Sequence, residues 1–130
     1  MQTEIENKAV NEELDPLKLL KKAVAALDDK KARDITVLHT HDVTVLSDYF
    51  VIATATSAPH IKTLADEVEI RLRETGNPPL HIEGYRSGGW VLVDFGCIVV
   101  HLFTQELREF YNLERLWADS PMLSAEELLK

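Results

Sequence analysis

The run from Ile98 to Phe103, IVVHLF, is apolar at nearly every position rather than at alternate ones. A strand that reads this way is covered on both faces, so it belongs in the middle of a sheet with other layers packed above and below. Just upstream, Trp90 to Phe95 is a second stretch rich in β-branched and aromatic residues, and Asp94, Gly96 and Cys97 fall between the two where the chain can turn. The pair is expected to form a β-hairpin. The surrounding stretch, Ile82 to Trp117, also gathers most of the aromatic residues.

The remaining segments supply elements for that strand to pair with. Asp15 suits an N-cap and Pro16 the first helical position, and Leu17, Leu20, Val24 and Leu27 follow at three- and four-residue spacing. This predicts an amphipathic helix ending near Lys31, with Lys18, Lys21, Lys22 and Asp28 on its solvated face. Asp34 to Leu38 reads as a first strand and Asp48 to Thr54 as a nearly continuous apolar second one. Thr56, Ser57 and Pro59 open a helix carrying Ile61, Leu64, Ala65, Val68 and Leu72 on one face, closed near Thr75 by Gly76, Pro78 and Pro79. A third strand, Leu80 to Glu83, follows. Strand, helix, strand predicts that the second and third strands are parallel with a right-handed crossover, and the short links after Glu83 predict an antiparallel meander. Leu107, Phe110, Tyr111, Leu113 and Leu116 mark a closing helix from Gln105 to Leu116. The fold class is therefore α/β, a mixed sheet of about five strands flanked by helices. Residues 1–14 are expected to form a flexible acidic tail, 15–118 the α/β domain and 119–130 a polar C-terminal tail with at most one helical turn.

Charge and cysteine usage exclude several classes. The net charge of −8 is concentrated at the ends, with Glu4, Glu6, Glu12, Glu13 and Asp15 against Lys8 at one end, and Asp119, Glu126 and Glu127 against Lys130 at the other. Nothing resembles the basic face that phosphate contacts require, so direct nucleic-acid readout is disfavoured. An acidic protein still docks on a basic protein component of a ribonucleoprotein, where opposite charge speeds encounter. The lone cysteine, Cys97, has no partner for an intramolecular disulfide. No apolar run approaches the roughly 20 residues that span a bilayer, and the N-terminus has neither a basic start nor an apolar core of a signal peptide. A cytoplasmic setting is expected.

The candidate chemistry is sparse. His39 and His41 sit two apart, on one face of an extended strand, with Asp42 beside them, yet a metal site needs a further ligand and a polar strand end explains the trio better. His101, inside the apolar strand, reads as a hydrogen-bonded core or interface histidine rather than a base. Thr54 to Ser57 lies where a strand meets a helix N-terminus but has no glycine to let a phosphate approach, and Ser57 reads as an N-cap. There is no P-loop, dinucleotide fingerprint or nucleophile elbow. Metal-dependent nucleotidyl transfer needs carboxylates alternating on one strand, and the positions flanking Asp94 are Leu92 and Gly96. No catalytic residue, metal or cofactor is expected.

Four motifs, SDYFVIATATSAPHI, IEGYRSGGWVLVDFG, IVVHLF and REFYNLERLW, occur in an order and spacing that closely resemble the Iojap family of ribosomal silencing factors, RsfS. The resemblance covers about Ala32 to Trp117. It implies a fold related in shape to nucleotidyltransferases but without their catalytic carboxylates, and an activity that is not catalysis. Members bind large-subunit ribosomal protein fourteen on the face that meets the small subunit, block subunit joining and lower translation when nutrients are scarce. Carried over residue by residue, the partner-facing signature falls on Glu83 and Gly84, on Trp90, and on Asp94 with its flanking strand residue Leu92. Trp90, which follows Gly88 and Gly89 in a turn-rich link, is read as a displayed anchor with a core position as the alternative, and Glu83 and Asp94 as the partners of basic side chains. Asp48, Tyr49, Tyr111, Glu114 and Trp117 match equally well and also suit a structural role. The chain departs from the family at Ala55, where glycine is usual, and at Cys97, where an acidic residue is usual. Two alternatives remain beside this one: a homodimeric adaptor with another protein partner, and a divergent nucleotide-binding or nucleotidyltransferase domain.

Overall fold

Helix α1 (Pro16–Asp29) begins where a side chain can close it, the Leu17 N–H donating to Asp15 Oδ1 at 3.1 Å. The computed structural model describes residues 15–40, 47–86 and 89–130. The expected tail 1–14, together with His41 and Asp42, lies outside the described residues. After α1 come β1 (Arg33–His39), β2 (Tyr49–Ala55), α2 (Ala58–Glu74), β3 (His81–Glu83), β4 (Trp90–Asp94), β5 (Ile98–Thr104), α3 (Gln105–Tyr111), α4 (Leu113–Leu116), β6 (Met122–Leu123) and α5 (Ala125–Leu128). Helix α2 starts and stops as its sequence predicts. Ser57 Oγ accepts from the His60 N–H, and beyond Thr75 the chain turns through Gly76 at φ +87°.

The strands form one sheet in the order β3-β4-β5-β2-β1-β6. The doubly apolar β5 is central, as its sequence requires, and pairs in parallel with β2, the other strand buried along most of its length. All other neighbours are antiparallel. The expected meander of β3, β4 and β5 is present. Strand β3 does run in the direction of β2, but it is not β2's neighbour, since β4 and β5 lie between them. The reason is burial: β3 has only three residues, two of them exposed, and takes the edge, while the long apolar β5 takes the inner place.

Alternation along the strands divides the side chains between two faces. One face packs Val51 and Ala53, Val91 and Val93, and Val100 and Leu102 against Leu20, Val24 and Leu27 of α1 and Ile61, Leu64, Val68 and Leu72 of α2. The opposite face holds Leu38, Ile52 and Phe103 beneath Leu113, flanked by Phe50, Trp90, Leu107 and Trp117. Here the cover is thin. The expected single helix from Gln105 to Leu116 is broken at Asn112, which sits at φ +45° and ψ +58°, a left-handed conformation that asparagine tolerates better than most residues. Two short helices replace one. Residues 119–130, read from sequence as a polar tail, carry β6 paired to β1 and α5, whose Leu128 is only 8% exposed and joins the main core. Among the described residues no helix is long and apolar enough to cross a membrane.

Candidate partner-binding groove

Strand β4 points Trp90, Leu92 and Asp94 to the thinly covered face and Val91 and Val93 into the main core. Across the ladder, Trp90 lies opposite Phe103, Leu92 opposite both Glu83 and His101, and Asp94 opposite His81 and Val99. The indole of Trp90 stacks on Phe103, ring centres 5.1 Å apart, and leans on Tyr111 at 4.6 Å. Such aromatic pairs contribute about 0.5–1.5 kcal/mol beyond the area they bury. Gly89 brings α3 close: a Cβ there would stand 2.2 Å from Leu107 Cδ1, and its carbonyl accepts from the Thr104 N–H at 3.1 Å.

These approaches leave a groove of about 450 Å³. Glu83, Gly84, Trp90 and Leu92, four of the five residues singled out from sequence, line it together with Gly89, Leu107 and Tyr111. Trp90 is half-buried, its inner surface packed and its outer surface on the groove, which is intermediate between a core residue and a displayed one. Asp94 does not line the groove. It stands at the far end of β4, accepts from the Gly96 N–H at 2.7 Å and lies 3.6 Å from His81 Nδ1. His81 Nε2 in turn lies 3.6 Å from Glu83 Oε1, so one imidazole links the two acidic residues on this face.

Sequence reasoning underrated the groove's second wall. Leu107 and Tyr111, which the sequence places on one helical repeat, stand at i and i+4 on α3 and line the groove, a role their spacing alone did not give them. It also gave no role to Arg108, only 8% exposed, whose guanidinium donates to the Asp34 carbonyl, to Thr54 Oγ1 at 2.8 Å, to Thr36 Oγ1 at 2.9 Å and to Glu114 Oε2 at 3.1 Å. That set ties α3 and α4 to β1 and β2, and so holds the wall in place. His39 stacks on Tyr49 at 4.8 Å. Among the described residues no group of three histidine, cysteine or acidic side chains is placed to hold a metal ion.

His101 is 5% exposed. Trp90 Nε1 donates to His101 Nδ1 at 3.3 Å, and His101 Nε2 has no hydrogen-bond partner among the described residues. Burial lowers the imidazole from 6.5 to about 4, with Asp94 opposing the shift weakly. The neutral ring is therefore the resident form.

A sequence profile of the family described as "Ribosomal silencing factor during starvation" matches residues 13–130. The chain belongs to this RsfS family. The RsfS of Bacillus subtilis is 40% identical over 104 residues, spanning 80% of this chain and 88% of that protein. The mouse protein named "Mitochondrial assembly of ribosomal large subunit protein 1" is 37% identical over 97 residues, 72% of this chain and 42% of its own. A crystal structure of a Chromobacterium violaceum protein superposes with a TM-score of 0.79 at 38% identity, covering 81% of this chain and 88% of that one. The RsfS profile reaches Lys130, beyond the Trp117 limit of the resemblance read from motifs. At the two departures from RsfS motifs, Ala55 ends β2 in the main core, and the Cys97 carbonyl accepts from the Asp48 and Tyr49 N–H groups at 2.8 and 3.1 Å.

Proposed function

We propose that this chain acts by occlusion. The Trp90 groove docks on large-subunit ribosomal protein fourteen at the intersubunit face, the bound domain excludes the small subunit, and translation falls under nutrient limitation. The observation that supports this reading most is the convergence of Glu83, Gly84, Trp90 and Leu92 on one open groove, in a chain whose family is named for ribosome silencing. A half-buried tryptophan already stacked on the fold is a low-entropy anchor, and tryptophan is prominent among residues that dominate binding energy. Glu83 on the groove, with Asp94 beyond its end on the same face, gives this side of the sheet a negative sign suited to lysine and arginine on a ribosomal protein. The name of the mouse relative, which refers to the ribosomal large subunit, favours that subunit further.

The test is co-sedimentation with purified large subunits. Trp90→Ala removes the anchor, and a loss of about 2 kcal/mol or more, roughly 30-fold in affinity, is expected while the variant stays folded by circular dichroism. Unchanged binding by a folded Trp90→Ala protein would contradict this use of the groove.

A second reading, a homodimeric adaptor, draws on Phe110 and Leu116, which are 75% and 72% exposed on α3 and α4. Two copies joined through those helices would bury both side chains. Sedimentation equilibrium decides it: a concentration-dependent dimer disrupted by Phe110→Ser supports that reading, and a monomer at all concentrations removes it.

A further inference from the structure

We propose that His101 is the positioning residue of the Trp90 anchor, holding the indole in the orientation that the ribosomal partner meets. This deepens the groove reading and rests on it. The indole Nε1 carries a hydrogen and only donates, so the 3.3 Å contact makes His101 Nδ1 the acceptor and places the proton of the neutral ring on Nε2. That proton has no acceptor among the described residues and lies buried. An unpaired buried donor is unfavourable, and an apolar ring at position 101 would complete the run IVVHLF without that penalty. What imidazole supplies and an apolar side chain does not is the acceptor facing Trp90.

The surroundings make that acceptor consequential. His101 stands across the ladder from Leu92, a groove residue, with its ring centre 6.0 Å from that of Trp90 and 5.0 Å from that of Phe50. Phe50 is in turn braced edge-on by Trp117 at 5.2 Å. Stacking on Phe103 fixes the plane in which the indole lies but accepts either of two orientations related by a half-turn about χ2, since dispersion has little direction. The hydrogen bond to Nδ1 selects the orientation that turns Nε1 toward His101. It also links the anchor to the protonation of His101: a protonated Nδ1 is a donor facing a donor, and the contact is lost. The charged group acting on His101 from the adjoining strand β4 is Asp94; Phe50 and Ile52 face it from β2 and are apolar.

Two variants separate positioning from packing. His101→Phe keeps a ring and removes the acceptor, whereas His101→Asn places an amide oxygen where Nδ1 stood. Large-subunit co-sedimentation at pH 7.5 is expected to show His101→Phe binding roughly fivefold to tenfold more weakly than wild type, because an indole no longer held in the docking orientation must be ordered when it binds. His101→Phe is expected to be no less resistant to urea than wild type, and His101→Asn to recover most of the affinity. Wild-type affinity in a folded His101→Phe protein would overturn the proposal. A second arm needs no ribosome and no His101 variant. In a Trp117→Phe background, Trp90 emission is expected to change as the folded protein is acidified from pH 7 toward pH 3.5, with a midpoint well below that of free histidine. Constant emission over that range, with the fold intact by circular dichroism, would likewise overturn it. If wild type does not bind large subunits at all, the groove reading fails, and the emission arm still decides whether His101 positions Trp90.

Discussion

Holding His101 neutral costs nothing at neutral pH and becomes a liability in acid. The unfolded chain takes up a proton near pH 6.5, while the buried ring resists it down to about 4. Between these values the unfolded state binds more protons, so stability is complete above pH 6.5 and is lost as the pH falls toward 4, by about 3 kcal/mol. Urea unfolding at pH 7 and at pH 4.5 is expected to show a larger drop for wild type than for His101→Phe, which has no such group. Equal drops would mean that His101 does not titrate differently in the two states. Sequence reasoning placed His101 among hydrogen-bonded core or interface residues, and one ring nitrogen fits that description; the partner of that nitrogen was not legible, because cross-strand neighbours depend on register. Arg108 was less legible still. A basic residue on a short amphipathic helix reads as solvated, and only folding brings the Thr36 and Thr54 hydroxyls from two different strands to its guanidinium.

At the scale of elements, what could be read was what local chemistry decides. Asp15 and Ser57 cap α1 and α2, Thr75 and Gly76 end α2, and the Asp94 side chain closes the hairpin turn on the Gly96 N–H. What could not be read was decided by competition between elements. The place beside β2 goes to the strand with most surface to bury, so β3 is displaced to the edge. The C-terminal segment shows the same limit. One helical turn was legible after Asp119, but a two-residue strand falls below any periodic signal, and neither the cover that β6 gives the outer edge of β1 nor the place of Leu128 in the core near α1 could be read. Leu128→Ala is expected to lower unfolding free energy by about 2 kcal/mol, in the lower part of the range for leucine truncations because the site lies near the chain end and can relax. A change within experimental error would show that α5 contributes nothing to the folded domain.

For the molecule as a whole, the asymmetry of the sheet is the decisive property. One face is sealed by two long helices, and the other carries aromatic side chains under two short ones, with a groove between β4 and α3. The proposed occlusion needs one adhesive face, and the groove side of the sheet offers it. Its net charge of −8 favours encounter with a basic surface and makes the rate of docking sensitive to salt. On the proposed function, docking through the Trp90 groove keeps the subunits apart. The most direct measurement is light scattering of purified small and large subunits mixed after the large subunit has been incubated with this protein or with Trp90→Ala. The account predicts that wild type suppresses the rise in scattering that marks joining, and that Trp90→Ala at the same concentration leaves it intact. Joining at full extent in the presence of saturating, folded wild-type protein would contradict it.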